Sequence, residues 1–113
     1  MLDNLEVVQK VYDFEIRIYG YLRKYPQSEK FALVTETKNT IHTLGKKLLK
    51  AAIAEKKRAI LYEADAELYH LKHLIRLAYE MKYINNRTYE ICERLLAEIG
   101  GMLGMWIKNI KSK

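Results

Sequence analysis

The sequence predicts an all-α fold: one domain over residues 1–113, built as an antiparallel up-down-up-down four-helix bundle with short loops. Three observations carry that expectation. Turn chemistry is scarce, with one Pro and five Gly, three of the Gly crowded between Gly100 and Gly104. Apolar residues recur at three- and four-residue spacing along four separate segments. Only short breaks separate those segments, at Pro26, at residues 54–57 and at Asn85–Asn86. A chain of 113 residues can bury roughly 65% of its unfolded surface, enough for a single core. With 50% hydrophobic and 30% charged residues, disorder is excluded.

The first helix is expected from about Asp3 to Tyr25. Val7, Val11, Phe14, Ile18, Tyr21 and Tyr25 keep strict four-three spacing and form one seam. Leu5, Val8, Tyr12, Tyr19 and Leu22 form a second apolar stripe beside it. A helix in an isolated bundle needs one broad stripe, so the second points to a contact between copies of the chain. The alternative is that these tyrosines lie on the surface with their hydroxyls in water. Pro26 ends this helix, because the residue before a proline is pushed out of the helical region.

Ser28 is the expected N-cap of the second helix, with Glu29 in its first turn. Phe31, Val34, Thr37, Ile41, Leu44 and Leu48 mark its buried face. An uninterrupted helix from there to Met81 would be about 80 Å long, too long for one small domain. Continuing the register would bury Glu55, Arg58, Tyr62 and Asp65, whereas Leu61, Ala64, Leu68, Leu71, Ile75 and Ala78 resume in a new phase. A tight turn is therefore expected at residues 54–57. The third helix should run to about Lys82, and Asn85 or Asn86 should cap the fourth. That last helix carries Tyr89, Cys92, Leu95, Leu96, Ile99, Met102, Leu103, Trp106 and Ile110 on one broad face.

Charge then points to function. The formal net charge is +6 and the pI about 9.4, which favours a polyanionic partner. The stretch from Lys46 to Arg58, KKLLKAAIAEKKR, holds six basic residues and one acid. In an up-down-up-down bundle, Lys46, Lys47, Lys50, Lys56, Lys57 and Arg58 share one end with Lys108 and Lys111 of the fourth helix. Lysines in the last turns of a helix complement its dipole. Lys56, Lys57 and Arg58 instead stand where the third helix begins, at the positive end of its dipole, and an anion docked there would offset the repulsion. Lysines and an arginine holding phosphates do so without reading sequence. The eight named cations are accordingly the expected nucleic-acid surface. A merely solvated charged face is the bland alternative.

Catalytic and metal chemistry find little support. Glu67-x-x-His70 has the spacing of a di-iron ligand pair, but such a site needs a second Glu-x-x-His beside two further glutamates, and the chain has no second copy. His73 adds at most a surface site, and no Ser-His-Asp order, phosphate loop or paired-Cys motif is present. Glu15 and Glu98 are candidates to face inward, as partners of Arg or Tyr rather than as catalysts. No enzyme activity, cofactor or metal is expected. The single Cys92 excludes an intramolecular disulfide and suits a small core residue. No signal peptide and no membrane-length apolar run is read in the sequence, so a cytoplasmic protein without membrane contact is expected. Gly100-x-x-x-Gly104 would let another helix approach closely, with Trp106 in the core or at an interface.

Three segments resemble the accessory variability determinant (Avd) family: PQSEKFAL at 26–33, AEKKRAILYEAD at 54–65 and EIGGMLGMWI at 98–107. The resemblance covers nearly the whole chain, and its motifs are structural rather than catalytic. It implies a four-helix bundle assembled as a homopentameric barrel with a basic surface. It also implies an obligatory partner of the reverse transcriptase in diversity-generating retroelements, binding that enzyme and RNA or cDNA during mutagenic, error-prone synthesis. Gly100, Gly104 and Trp106 carry over as packing elements, and residues 46–58 as candidates for the charged surface. The broader bundle family includes proteins encoded by intervening sequences in 23S ribosomal RNA genes. Those usually have a more Gly- and Pro-rich link after the second helix than KAAIAEKK, and a protein–protein adaptor of that type is the alternative function.

Overall fold

The computed structural model describes residues 2–111, with side chains described for residues 5–110. Four helices follow one another: α1 (Leu2–Leu22), α2 (Leu33–Ile53), α3 (Arg58–Glu80) and α4 (Asn86–Lys111). A single 3-10 turn, Gln27–Glu29, lies between the first two, and the described residues contain no strand. Helices of 21 to 26 residues are about 30–39 Å long. The longest dimension of the molecule is 47 Å, so consecutive helices must double back. Each helix packs on its chain neighbours, and α1 closes the bundle against α4.

The core is one apolar column. Val7, Val11, Phe14 and Ile18 enter it from α1, and Ile41, Leu44 and Leu48 from α2. Leu61, Leu68, Leu71 and Ile75 of α3 complete it with Cys92, Leu96, Ile99, Leu103 and Trp106 of α4. The expected change of register between α2 and α3 is present, with the turn at residues 54–57. Asn85 caps α4, its Oδ1 accepting the Thr88 N–H at 2.8 Å.

Five expectations need correction. α1 stops at Leu22, and residues 23–25 form a tighter turn in which the Tyr25 N–H bonds the Leu22 carbonyl. Leu22 is buried and Tyr21 only half-buried, because a straight helix drifts about 20° per heptad from a four-three pattern. Ser28 caps nothing: it sits in the 3-10 turn, and α2 starts at Leu33, whose N–H meets the Glu29 carboxylate at 3.3 Å. Phe31 therefore precedes the helix instead of lying on its inner face, and is 85% exposed. Neither Glu15 nor Glu98 is buried. Glu98 pairs with Lys10 at 2.8 Å across α1 and α4, and Glu15 meets His42 at 2.7 Å across α1 and α2.

The α3–α4 link carries local strain. Lys82 has a φ of 66°, a left-handed conformation that costs an L-residue energy. The Lys82 and Tyr83 N–H groups bond the carbonyls of Tyr79 and Ala78, which makes this a Schellman ending, where glycine is the usual residue. Lys82→Gly is expected to stabilise the fold by about 0.5–1 kcal/mol in urea unfolding.

Cys92 is fully buried in the core, and burial pushes its thiol up to about 12. The native protein should resist alkylation by iodoacetamide at pH 8, where the reactive thiolate is absent, and should react once unfolded. Stoichiometric labelling under native conditions would contradict the core placement.

Candidate nucleic-acid interface

The basic bend joins α2 to α3 at the end of the bundle that also holds the C-terminus of α4. Its six cations do not play one role. Lys57 is half-buried, and its Nζ donates to the carbonyls of Ala51 at 2.7 Å, Ala54 at 2.6 Å and Ala52 at 3.4 Å. An ammonium has three protons to donate, and here all three go to the last carbonyls of α2 and its C-cap. Lys57 thus stands before α3 in sequence but serves the negative end of the preceding helix. Lys47 is also engaged. It meets Glu63 at 2.6 Å, tying α2 to α3. That hydrogen bond, then the charges of Lys47 and Lys50, holds the Glu63 carboxyl below its usual range. The pair contributes above the ordinary carboxylate pKa and is lost as pH falls through the lowered one.

Lys46, Lys50, Lys56 and Arg58 remain. All four are exposed, and none is in a salt bridge among the described residues. Arg58 and Lys56 flank the start of α3, which has no side-chain cap and no acid in its first turn. Two exposed cations and the unfilled amides of the first turn of α3 therefore lie together. Lys46 and Lys50 stand on α2, Lys50 in its last turn and close enough to Glu63 for its charge to act there. Glu55 is the acid within the bend, and it is exposed. Lys108 is exposed near the end of α4, while the Lys111 side chain lies outside the described residues.

Sequence reasoning missed an apolar component. Leu49 is 53% and Ile53 88% exposed, one turn apart on the outer face of α2 among the free lysines. The signal was present, since Leu48 and Leu49 are adjacent and cannot both face the core.

The second stripe of α1 also divides. Leu22 is core, and Tyr19 is half-buried with its hydroxyl 2.9 Å from His42 Nε2. Leu5 and Tyr12 stay exposed and Val8 half-buried, and Ile16, not expected there, is 60% exposed on the same side. On α4, a Cβ at Gly100 would meet only ordinary contacts with Leu68 and Lys72, and at Gly104 or Gly101 nothing. No neighbour within the protomer requires those glycines. Trp106 is buried in the core.

His70 pairs with Glu36 at 3.2 Å and stacks on His73, and no group of three metal-ligating side chains occurs among the described residues. Nor is any described helix long and apolar enough to cross a membrane.

The four packed helices define a four-helix bundle. The family model described as bAvd-like matches residues 5–110, and the chain belongs to that family. A solved structure from Bacteroides thetaiotaomicron, a protein of unknown function from the S23 ribosomal protein family, is similar with a TM-score of 0.83. It is 21% identical, over 94% of this chain and 98% of that one, a likeness of fold. The search of curated proteins found no match.

Proposed function

We propose that this chain is a non-enzymatic accessory protein of a diversity-generating retroelement. It binds the reverse transcriptase and holds RNA or cDNA, without sequence preference, through its basic end during mutagenic cDNA synthesis in the cytoplasm. The observation that carries the nucleic-acid role is the set of four exposed cations outside any salt bridge among the described residues, Lys46 and Lys50 on α2 and Lys56 and Arg58 about the uncapped start of α3. Family membership supports the accessory role and the polymerase partner. Co-expression with the reverse transcriptase of a neighbouring retroelement tests the partner: a complex that survives gel filtration is expected, and two separate peaks would refute it.

The functional unit is a homo-oligomer, a pentamer-like barrel. Leu5, Tyr12 and Ile16 leave an apolar strip on α1 that nothing in the protomer covers. Gly104 is exposed in mid-helix, where alanine is better by about 1 kcal/mol. If a second copy packs closely there, Gly104→Ala raises the helicity of the protomer but lowers the assembly in light scattering. An unchanged assembly with higher stability would remove Gly104 from the interface.

A protein–protein adaptor is the second reading, favoured by Leu49 and Ile53. Exposed apolar side chains among lysines suit an acidic, partly apolar protein surface at least as well as a phosphate backbone.

A further inference from the structure

The opposite end of the bundle carries a cavity with a chemistry of its own. It has a volume of about 260 Å³ and lies between the last turn of α1, the 23–32 link and the first turns of α2. Leu22, Val34 and Pro26 give it apolar walls, beside the ring-bearing Tyr19 and Tyr25. Arg23, Lys30 and Lys38 also line it, and no carboxylate does. Three other clefts differ in this respect, with Glu36 and Glu67 lining one, Glu80 another, and Asp13 and Glu98 a third, whereas the cleft beside Lys24 and Thr88 also lacks a carboxylate but has one cation only.

None of the three cations has a salt bridge among the described residues. Lys38 Nζ lies 4.7 Å from the centroid of Tyr19, a ring of the cavity wall, and Lys30 Nζ 5.6 Å from that of Phe31, an exposed ring outside the cavity. The nearest candidate acid in the link, Glu29, is occupied by the Tyr83 hydroxyl and the Leu33 N–H. Three like charges around one small cavity repel one another, and that repulsion falls when a multiply charged anion enters.

We propose that this cavity binds a small phosphate monoester, its phosphate held by Arg23, Lys30 and Lys38 and its organic body against Leu22, Pro26 and Val34. A monoester carries a charge of about −1.5 to −2 and three acceptor oxygens, which suits one arginine fork and two lysine point charges. The apolar walls add affinity that inorganic phosphate cannot use. The site is on the far side of the molecule from residues 46–58 and is independent of any polymer bound there.

The test is an NMR titration of the full chain at constant ionic strength with phenyl phosphate, inorganic phosphate and phenol. Phenyl phosphate should bind saturably, shifting the amides around Lys30 and Val34, and about tenfold tighter than either inorganic phosphate or phenol. Arg23→Gln with Lys38→Gln should weaken it by about tenfold or more, whereas Lys46→Gln with Lys50→Gln should leave it unchanged. Both pairs lie outside the core, Lys38 half-buried and the other three exposed, and the spectrum of each variant reports its folding directly. No saturable shift overturns the proposal. So does equal binding of phenol or of inorganic phosphate, or equal loss in the Lys46 and Lys50 variant.

Discussion

Replacing Lys46, Lys50, Lys56 and Arg58 together by glutamate is expected to lower duplex DNA affinity at least about 10²-fold, because four phosphate contacts are lost and four repulsions gained. The effect on stability should be small and partly of opposite sign. Glutamate at 56 and 58 falls at the positive end of the α3 dipole, where it is favourable by a few tenths of a kcal/mol. Glutamate at 50 falls in the last turn of α2, at its negative end, and is unfavourable by about as much, while position 46 lies before that turn. Helicity by circular dichroism should stay the same while binding in fluorescence anisotropy collapses. Unchanged affinity in a folded variant would transfer the basic end to the adaptor reading.

Lys57 is expected to behave in the opposite way. Lys57→Met keeps the stem but removes the three donated bonds to Ala51, Ala52 and Ala54. Two of those bonds are short and charge-assisted, and the site is half-buried, so the loss should be about 2 kcal/mol. For a chain of this size that lowers Tm by roughly 8 °C or more. Nucleic-acid affinity, measured well below Tm, should change less than twofold. A variant with unaltered Tm and weakened binding would show that Lys57 contacts phosphate and that its carbonyl bonds are incidental.

These two results separate residues that look alike in the sequence. KKR at 56–58 is three adjacent cations, and adjacency says nothing about which of them turns back over the preceding helix. Whether Lys57 caps α2 depends on how four link residues turn, and that conformation has no periodic signature. The helices themselves were legible because burial on one face imposes a period, as in Leu61, Leu68, Leu71 and Ile75. Their ends were less so. Ser28 and Glu29 have the composition of a helix start, yet the chain uses them in a 3-10 turn and begins α2 later. The second stripe of α1 was half legible: Leu5 and Tyr12 face out, whereas Leu22 of the same stripe lies in the core, because a straight helix drifts from the heptad. Cross-helix pairs such as Lys10–Glu98 and Lys47–Glu63 need the relative height of two helices, which loop lengths alone do not fix.

The central claim is that the basic end neutralises phosphates, and the salt dependence of binding tests it most directly. A DNA duplex and a structured RNA would be titrated with the unmodified protein from about 50 to 200 mM salt. Four duplex phosphates neutralised per protomer give a slope of log affinity against log salt near −3.6, which is a loss of about 150-fold over that range. A slope of about −3 or steeper, similar for unrelated sequences, is the expected result. Absence of binding at 50 mM salt, or a slope near −1, would contradict it.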